Sequence, residues 1–395
     1  MNDPVYLNAL GVVCALGRGQ DALREGLFAA APGGVAAHAG VLPGQTLHLG
    51  IVGETLADDG VLPAWQRSRN NALLLTALTE IRPAVDAAIA RYGADRVGLV
   101  LGTSTSGIGE SETAIAHYAR EGVLPSHYHV GQQELGSPVM ALGGLLGLAG
   151  PSIVVSTACS SSAKAMASAA RLLRGGLCDA VITGGGDSMC AFTVAGFASL
   201  EAISPARCNP LSRHRAGINI GEGAALFLMT REPGPVTLAG WGESSDAHHI
   251  SAPDPSGRGA SASMREALQR AAIGPDAIDY VNLHGTATAQ NDQMECLAVN
   301  GLFGDRVPVS STKPLTGHTL GAAGAIEAAV AWLTLADNPD GRLPAHWWDG
   351  AADPALAPVT IAGPGSALGR PLDYVLSNSF AFGGSNASLV LGRAR

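Results

Sequence analysis

An internal duplication is the feature that most constrains the fold of this chain. An apolar segment ending in Gly-Thr occurs at residues 95–103, and a similar segment occurs at residues 279–286. In each half a short β-branched run then leads into an alanine-rich stretch, and two further apolar segments follow. Alternating strands and helices predict two βαβ-rich sheets. The Pro/Gly turn at 231–235 predicts a boundary between halves 1–232 and 233–395. The alternative to an internal duplication is a chance similarity between segments that are rich in glycine and alanine.

Composition excludes several classes of protein. The net charge of −9 argues against a general nucleic-acid binder. Six scattered cysteines without a CxxC pair fit a reduced, cytoplasmic protein and give no metal signature. The start of the chain does not have the pattern of a signal peptide. Residues 135–163 are uncharged, but Pro138 and Pro151 divide them into pieces too short to span a bilayer. They predict a buried or interface helix followed by a core strand.

Cys159 lies where a short apolar run gives way to strong helix formers. A thiol at the start of a helix faces unpaired backbone N–H groups, whose partial positive charge favours the thiolate. Because the thiolate is the nucleophilic form, the position predicts a residue that forms a thioester. The alternative is a small buried apolar side chain.

Two histidines of the second half occupy comparable loops. His284 ends an apolar segment, and His318 precedes a small-residue helix, with Lys313 five residues before it. If the halves are related by a pseudo-two-fold axis, these loops converge on Cys159. Metal ligation is the competing interpretation, but the 34-residue spacing and the absence of an HxxxH pattern disfavour it. Residues 184–186 lack the spacing of a dinucleotide fingerprint, which disfavours a nicotinamide or flavin cofactor. From both observations we expect neither a metal nor an organic cofactor.

The chain resembles an elongating β-ketoacyl-acyl carrier protein synthase of the thiolase fold. The matching segments, in family order, are 157–161 (Thr-Ala-Cys-Ser-Ser), 221–224 (Gly-Glu-Gly-Ala), 284–288 (His-Gly-Thr-Ala-Thr), 313–318 (Lys-Pro-Leu-Thr-Gly-His) and 378–386 (Asn-Ser-Phe-Ala-Phe-Gly-Gly-Ser-Asn). The resemblance extends from roughly residue 5 to residue 393. It implies an α/β thiolase fold whose duplicated halves form five layers, α-β-α-β-α.

The resemblance also implies roles for individual residues. Cys159, His284 and His318 correspond to a catalytic triad. Lys313 falls on the family's active-site lysine, and Glu295 falls on an acidic residue paired with it.

Further positions match the pocket of the family. Asp292 matches another acidic position, Phe382 the gating phenylalanine, and Phe197 an aromatic residue near the acyl pocket. The backbone N–H groups of Cys159 and Phe382 correspond to the oxyanion-hole donors.

The implied reaction is a decarboxylative Claisen condensation. Cys159 takes an acyl group from acyl carrier protein, and malonyl-acyl carrier protein then loses carbon dioxide and attacks the acyl-enzyme. One alternative is a chain-length-determining partner subunit, but such relatives lose the nucleophile. A thiolase needs a second cysteine late in the chain, and none follows Cys296. A cysteine protease is the alternative from an unrelated class.

Partner and substrate follow from the resemblance alone. Arg67, Arg69 and Arg207 fall where relatives dock acyl carrier protein, although ordinary solvated charges are the alternative. Thr105, in the small polar run 102–108, falls where relatives often carry a bulkier pocket residue, which favours a stiff or conjugated acyl chain. The Arg69-Asn70-Asn71 run resembles synthases of aryl polyene pigments. Such enzymes are dimers, and the second subunit is either a copy of this chain or a homologue without the cysteine.

Overall fold

A computed structural model of the protein describes residues 4–394 as a mixed α/β structure. Its strands are β1 (Tyr6–Cys14), β2 (Gly17–Arg18), β3 (Ala36–Ala39), β4 (Thr46–Leu49), β5 (Val97–Gly102), β6 (Ser152–Val155), β7 (Ala180–Asp187), β8 (Gly223–Thr230), β9 (Val236–Ser245), β10 (Tyr280–Asn282), β11 (Pro308–Ser310), β12 (Thr360–Ile361), β13 (Tyr374–Ala381) and β14 (Ser385–Arg393). Its helices are α1 (Gly19–Leu27), α2 (Arg69–Tyr92), α3 (Ile108–Glu121), α4 (Ser137–Leu146), α5 (Ser161–Arg174), α6 (Ala191–Ser199), α7 (Arg258–Ala271), α8 (Ala289–Phe303), α9 (Lys313–Thr316) and α10 (Ala323–Leu335).

The duplication is visible in the strand order. The first half runs β6-β5-β7-β8-β1 across the sheet, and the second runs β11-β10-β13-β14-β9. In each half the first three strands are parallel and the last two pairings are antiparallel. The two sheets are joined, because β1 pairs with β9 over a short antiparallel contact. The sequence predicted two sheets and did not identify β1 or β9, the strands through which they meet.

The helices complete the five predicted layers. Helices α5 and α10 pack against each other between the two halves, α2 covers β1 and β8, and α7 covers β9 and β14. Close contact between the central helices depends on small residues, since a Cβ at Gly324 would lie 2.8 Å from the Cβ of Ala163. Every residue of α10 is buried. The predicted thiolase-like layering is therefore present, whereas the boundary between 1–232 and 233–395 stays a prediction.

Strand β6 is an exception to the predicted core. It was expected to be buried, but it pairs only with β5 and ends the sheet, so that Ile153 is 41% exposed. The periodicity of an apolar run cannot separate a central strand from an edge strand that a second chain covers. Among residues 4–394, no helix is long and apolar enough to cross a membrane.

Candidate active site

The nucleophile and both histidines come from loops at the ends of strands and helices. Cys159 lies between β6 and α5, and Ala158 before it adopts a left-handed conformation, with φ of +51°. Such a φ is unusual for alanine and marks a constrained turn. The Ser161 hydroxyl supports this turn, since it donates to the Ala158 carbonyl and accepts from the Thr157 N–H. His284 follows β10, and His318 follows α9.

These three side chains meet, as the sequence predicted. Nε2 of His318 lies 3.0 Å from Sγ of Cys159. The rings of His284 and His318 stand edge to face with centroids 5.3 Å apart. Cys159 is 5% exposed and each histidine is 2% exposed. A thiol and two imidazoles from opposite halves therefore share one buried space.

Burial determines the resting protonation state. It raises the pKa of the Cys159 thiol to about 12, although the charge of Lys313 and the backbone N–H of Phe382 act in the opposite direction. Burial and the Lys313 charge hold the pKa of both His284 and His318 well below 6.5. The resting site is therefore a neutral thiol beside neutral imidazoles, not the thiolate that the start of a helix had suggested. Proton transfer to His318 Nε2 is the available route to a thiolate.

Lys313 fixes the tautomer of His284. Its ammonium lies 3.5 Å from Nδ1 of His284, which accepts from it and leaves the ring proton on Nε2. The same ammonium forms a 2.5 Å ion pair with Glu327, and both side chains are almost fully buried. The expected pairing of Lys313 with Glu295 is therefore wrong. Glu327 could have been found in the sequence as the single charged residue of the otherwise apolar helix α10.

Glu295 acts on the backbone. Its two carboxylate oxygens accept the backbone N–H groups of His284, at 2.8 Å, and Gly285, at 2.7 Å. Burial raises its pKa to about 7, although these two hydrogen bonds oppose the shift. Asp292 similarly accepts the N–H groups of Leu211 and Ala287. Both acids thus hold the loop that carries His284 and have no contact with the thiol.

Two cavities meet at Cys159. The first, of about 430 Å³, has a mixed lining whose polar part includes Thr286, Thr288 and Asn291. The second, of about 290 Å³, is almost entirely apolar and has Thr105 in its wall, and its use as an acyl pocket stays a prediction.

Phe197 and Phe382 lie on both cavities, and their ring centroids are 5.4 Å apart. Phe382 is followed by Gly383 and Gly384, whose φ angles of +79° and +71° favour glycine. A partly exposed aromatic ring on such a turn is placed to separate the two spaces.

The arginines predicted to dock a carrier protein lie outside these cavities. Arg69 forms a bidentate ion pair with the buried Glu222, and Arg207 donates to backbone carbonyls, among them those of Gly33 and Val35. Arg67 is exposed and donates to backbone carbonyls of its own loop. The guanidinium groups of Arg69 and Arg207 are thus already bound within the chain. Docking of a carrier protein by any of the three arginines stays a prediction.

A metal ion is the other chemistry that the triad could support. The nearest ligand atoms of Cys159, His284 and His318 all lie within 4.8 Å of one another. A thiolate and two neutral imidazoles are zinc ligands. The adjacent ammonium of Lys313 disfavours a cation at this place. The absence of a metal stays a prediction.

Comparison with known proteins identifies the family. Residues 45–233 match the family described as "Beta-ketoacyl synthase, N-terminal domain", and residues 236–339 match "Beta-ketoacyl synthase, C-terminal domain". A 3-oxoacyl-[acyl-carrier-protein] synthase 2 of Rhizobium meliloti (strain 1021) is 40% identical over 62% of this chain and 62% of its own length. One from Staphylococcus aureus is 34% identical over 75% of this chain and 77% of its own length. The matched region thus spans less than two thirds of the first of these relatives.

Solved structures extend the similarity over the whole chain. A ketosynthase (ApeO) from Xenorhabdus doucetiae, solved in complex with its chain length factor (ApeC), has a TM-score of 0.93 and 46% identity, covering 99% of this chain and 98% of that one. A β-ketoacyl synthase from Burkholderia phymatum STM815 has a TM-score of 0.86 and 27% identity, covering all of both chains. These similarities confirm the predicted thiolase fold. The chain belongs to the β-ketoacyl synthase family.

Proposed function

We propose that this chain is a β-ketoacyl-acyl carrier protein synthase that uses Cys159 as its acyl carrier. The observation that carries the proposal is the 3.0 Å contact between His318 Nε2 and Cys159 Sγ, at the junction of a mixed cavity and an apolar cavity. The mixed cavity, with polar groups in its wall, suits the phosphopantetheine arm of a carrier protein, and the apolar cavity suits the acyl chain. Similarity to the 3-oxoacyl-[acyl-carrier-protein] synthases supports the same assignment.

In the first half-reaction His318 accepts the thiol proton as Sγ attacks the acyl thioester. A carbon–sulfur bond forms to Cys159 as the bond to the carrier's sulfur breaks, and His318 returns the proton to that sulfur. The backbone N–H of Phe382, which already donates towards Sγ, is the proposed oxyanion donor together with that of Cys159.

In the second half-reaction the malonyl-loaded arm of acyl carrier protein occupies the mixed cavity. Loss of carbon dioxide leaves an electron pair that forms an enolate, and the Nε2–H of His284 donates to its oxygen. The enolate carbon attacks the acyl carbonyl and forms the new carbon–carbon bond as the carbon–sulfur bond to Cys159 breaks. The released thiolate takes up one proton from solvent, which restores the neutral thiol. His284 suits this step because Lys313 holds its proton on Nε2. Lys313 and Glu295 are positioning residues in this scheme.

The second subunit is proposed to be a homologous chain that covers the β6 edge. Exposed apolar side chains lie on β6, as Ile153, and on helices α3 and α6, which contact each other, as Ile115, Tyr118 and Phe192. Patches of this kind mark interfaces. Phe192 also lies on the apolar cavity, so a second subunit would complete the acyl pocket. The 46% identity with a ketosynthase solved with its chain length factor favours a heterodimer, and we assign the chain to the aryl polyene type.

The cysteines bear on two further proposals, the catalytic role of this chain and its place in the cell. The presence of Cys159 disfavours the alternative that this chain is itself the chain-length-determining subunit. All six cysteines are free and buried, as suits the cytoplasm.

The proposed function is tested by intact mass spectrometry with a panel of acyl-carrier thioesters. We expect a mass increase equal to one acyl group, which Cys159→Ala abolishes. Cys178→Ala is the matched control, since this buried cysteine lines neither cavity. Acylation that persists in Cys159→Ala would refute the nucleophile. No acylation of the wild type by any carrier, alone or with its partner subunit, would refute the function.

A further inference from the structure

The buried carboxylate of Asp187 makes no contact with the reacting groups described above, although its charge contributes to the raised pKa of the Cys159 thiol. Asp187 ends β7, is fully buried, and lines neither cavity. Its neighbour in the sheet is β5, whose following loop carries Ser104 and Thr105 into the wall of the apolar cavity. A buried carboxylate next to a substrate pocket needs donors that offset its loss of water.

Six donors surround this carboxylate. Oδ1 accepts the Thr103 hydroxyl at 2.5 Å, the Thr105 hydroxyl at 3.0 Å, and the N–H groups of Ser104 and Thr105 at 2.9 and 3.1 Å. Oδ2 accepts the Ser104 hydroxyl at 2.5 Å and the Gly321 N–H at 2.6 Å. An ionised carboxylate has about four lone-pair sites, so its acceptor capacity is saturated.

These contacts explain why two polar residues line an apolar cavity. Ser104 and Thr105 are polar residues, yet the cavity that they line is almost entirely apolar. Their hydroxyl groups are committed to Asp187, and the cavity wall is therefore formed by their carbon atoms. Because both side chains are small, they leave space in the cavity, and the surface that they present to it is apolar.

Asp187 also connects this wall to the loop of His318. Gly321, whose N–H it accepts, follows Leu320, and Leu320 lies on the same cavity. The approach is close, because a Cβ at Gly321 would lie 2.7 Å from Oδ2 of Asp187. One carboxylate thus holds wall residues from both halves of the chain.

We propose that Asp187 is a positioning residue for acyl-chain selectivity, which keeps the hydroxyls of Ser104 and Thr105 out of the acyl cavity. The inference rests on the proposed acylation of Cys159. It predicts a preference for long apolar chains over short ones, because a long chain contacts more of the wall that Asp187 organises than a short chain does. Without the carboxylate, a freed hydroxyl would face the chain without a partner.

The test compares self-acylation by octanoyl-pantetheine and acetyl-pantetheine, measured as initial rates by intact mass. Asp187→Asn removes acceptor capacity and places an amide donor against donors. We expect the octanoyl-to-acetyl rate ratio to fall roughly tenfold, the cost of an unpaired hydroxyl against an apolar chain. An unchanged ratio would overturn the proposal. Failure of the wild type to acylate with either thioester would instead count against the proposed function.

A rescue variant separates selectivity from loop stability. Ser104→Ala with Thr105→Val removes the two hydroxyls and keeps an apolar wall, so we expect the wild-type ratio within threefold. Adding both changes to Asp187→Asn should restore most of the lost preference, because no hydroxyl is left to enter the cavity. A combined variant as unselective as Asp187→Asn would show that the carboxylate only stabilises the loop. If Asp187→Asn fails to fold, a changed ratio in the Ser104/Thr105 variant would still refute the proposal.

Discussion

Glu327→Gln tests the electrostatic foundation of the site. Lys313 and Glu327 form a 2.5 Å ion pair with side chains only 2% and 4% exposed. The substitution keeps the shape of Glu327 and removes its charge, which leaves a buried ammonium without its counter-ion. Breaking a buried ion pair in this way typically costs 3–5 kcal/mol, so we expect about 3–5 kcal/mol of lost unfolding free energy.

The catalytic effect follows from the same contacts. An unpaired buried lysine is favoured in its neutral form. A neutral Lys313 amine could accept a hydrogen bond from an Nδ1–H of His284, and this opposite tautomer would leave Nε2 without the hydrogen that it donates to the enolate. Loss of one preorganised donor to a developing oxyanion costs roughly 10²–10³ in rate. Release of carbon dioxide from malonyl-acyl carrier protein should therefore slow by this factor, and self-acylation much less.

Two controls make the result interpretable. Asp86→Asn breaks the Arg82–Asp86 pair on the surface, whose side chains are 44% and 52% exposed, and should cost less than about 1 kcal/mol in urea unfolding. Lys313→Met with Glu327→Gln removes both charges and should recover most of the stability but none of the decarboxylation. If Glu327→Gln costs no more than Asp86→Asn and leaves carbon dioxide release unchanged, the reasoning about the pair is wrong.

Three further expectations concern the histidines, Glu295 and carrier docking. His284→Ala should slow decarboxylation more than self-acylation, whereas His318→Ala should slow self-acylation more, because its Nε2 contacts Sγ of Cys159; single-turnover acylation and carbon dioxide release check this, and equal losses of both steps in His284→Ala would contradict it. Burial raises the pKa of Glu295 from 4.5 to about 7, so its stabilising effect is full below pH 4.5 and is lost as the pH rises through 7. Glu295→Gln should therefore reduce the decline in unfolding free energy between pH 5 and pH 8 by up to about 3 kcal/mol, as measured with urea, and an unchanged decline would refute the shift. Arg67→Ala should weaken acyl transfer from the carrier at low salt and have little effect at high salt, with acyl-pantetheine as the carrier-free control; equal effects with both donors would exclude docking.

The duplicated pattern predicted the elements that repeat. The segments at 95–103 and 279–286 became β5 and β10, and the alanine-rich stretch after Cys159 became α5. Strands β1 and β9 were missed because neither ends in a motif that repeats between the two halves. Their place in the sheet depends on their pairing with each other and with β8 and β14. The burial of β6 was overestimated because β6 lies at the edge of the sheet, where the exposure of its side chains depends on whether a second chain covers it.

The triad could be predicted because its three residues lie in loops with recognisable sequence motifs, but its protonation could not. The start of α5 suggested a thiolate, and burial to 5% exposure reverses that expectation for Cys159. The ion-pair partner of Lys313 was also misassigned. Glu295 on α8 and Glu327 on α10 are both acidic helix residues of the second half, and only the packing of α10 between the halves brings Glu327 to the ammonium.

The two histidines differ in a way that suits two different tasks. Nδ1 of His284 faces an ammonium, which can only donate, so His284 keeps its proton on Nε2 throughout the cycle. Nδ1 of His318 is buried and has no hydrogen-bond partner within residues 4–394, so no contact there fixes its tautomer. A ring without a fixed tautomer can accept the thiol proton on Nε2 and release it again. The arrangement thus provides one constant donor for the enolate and one proton acceptor for the thiol, although both groups are imidazoles in the same buried space.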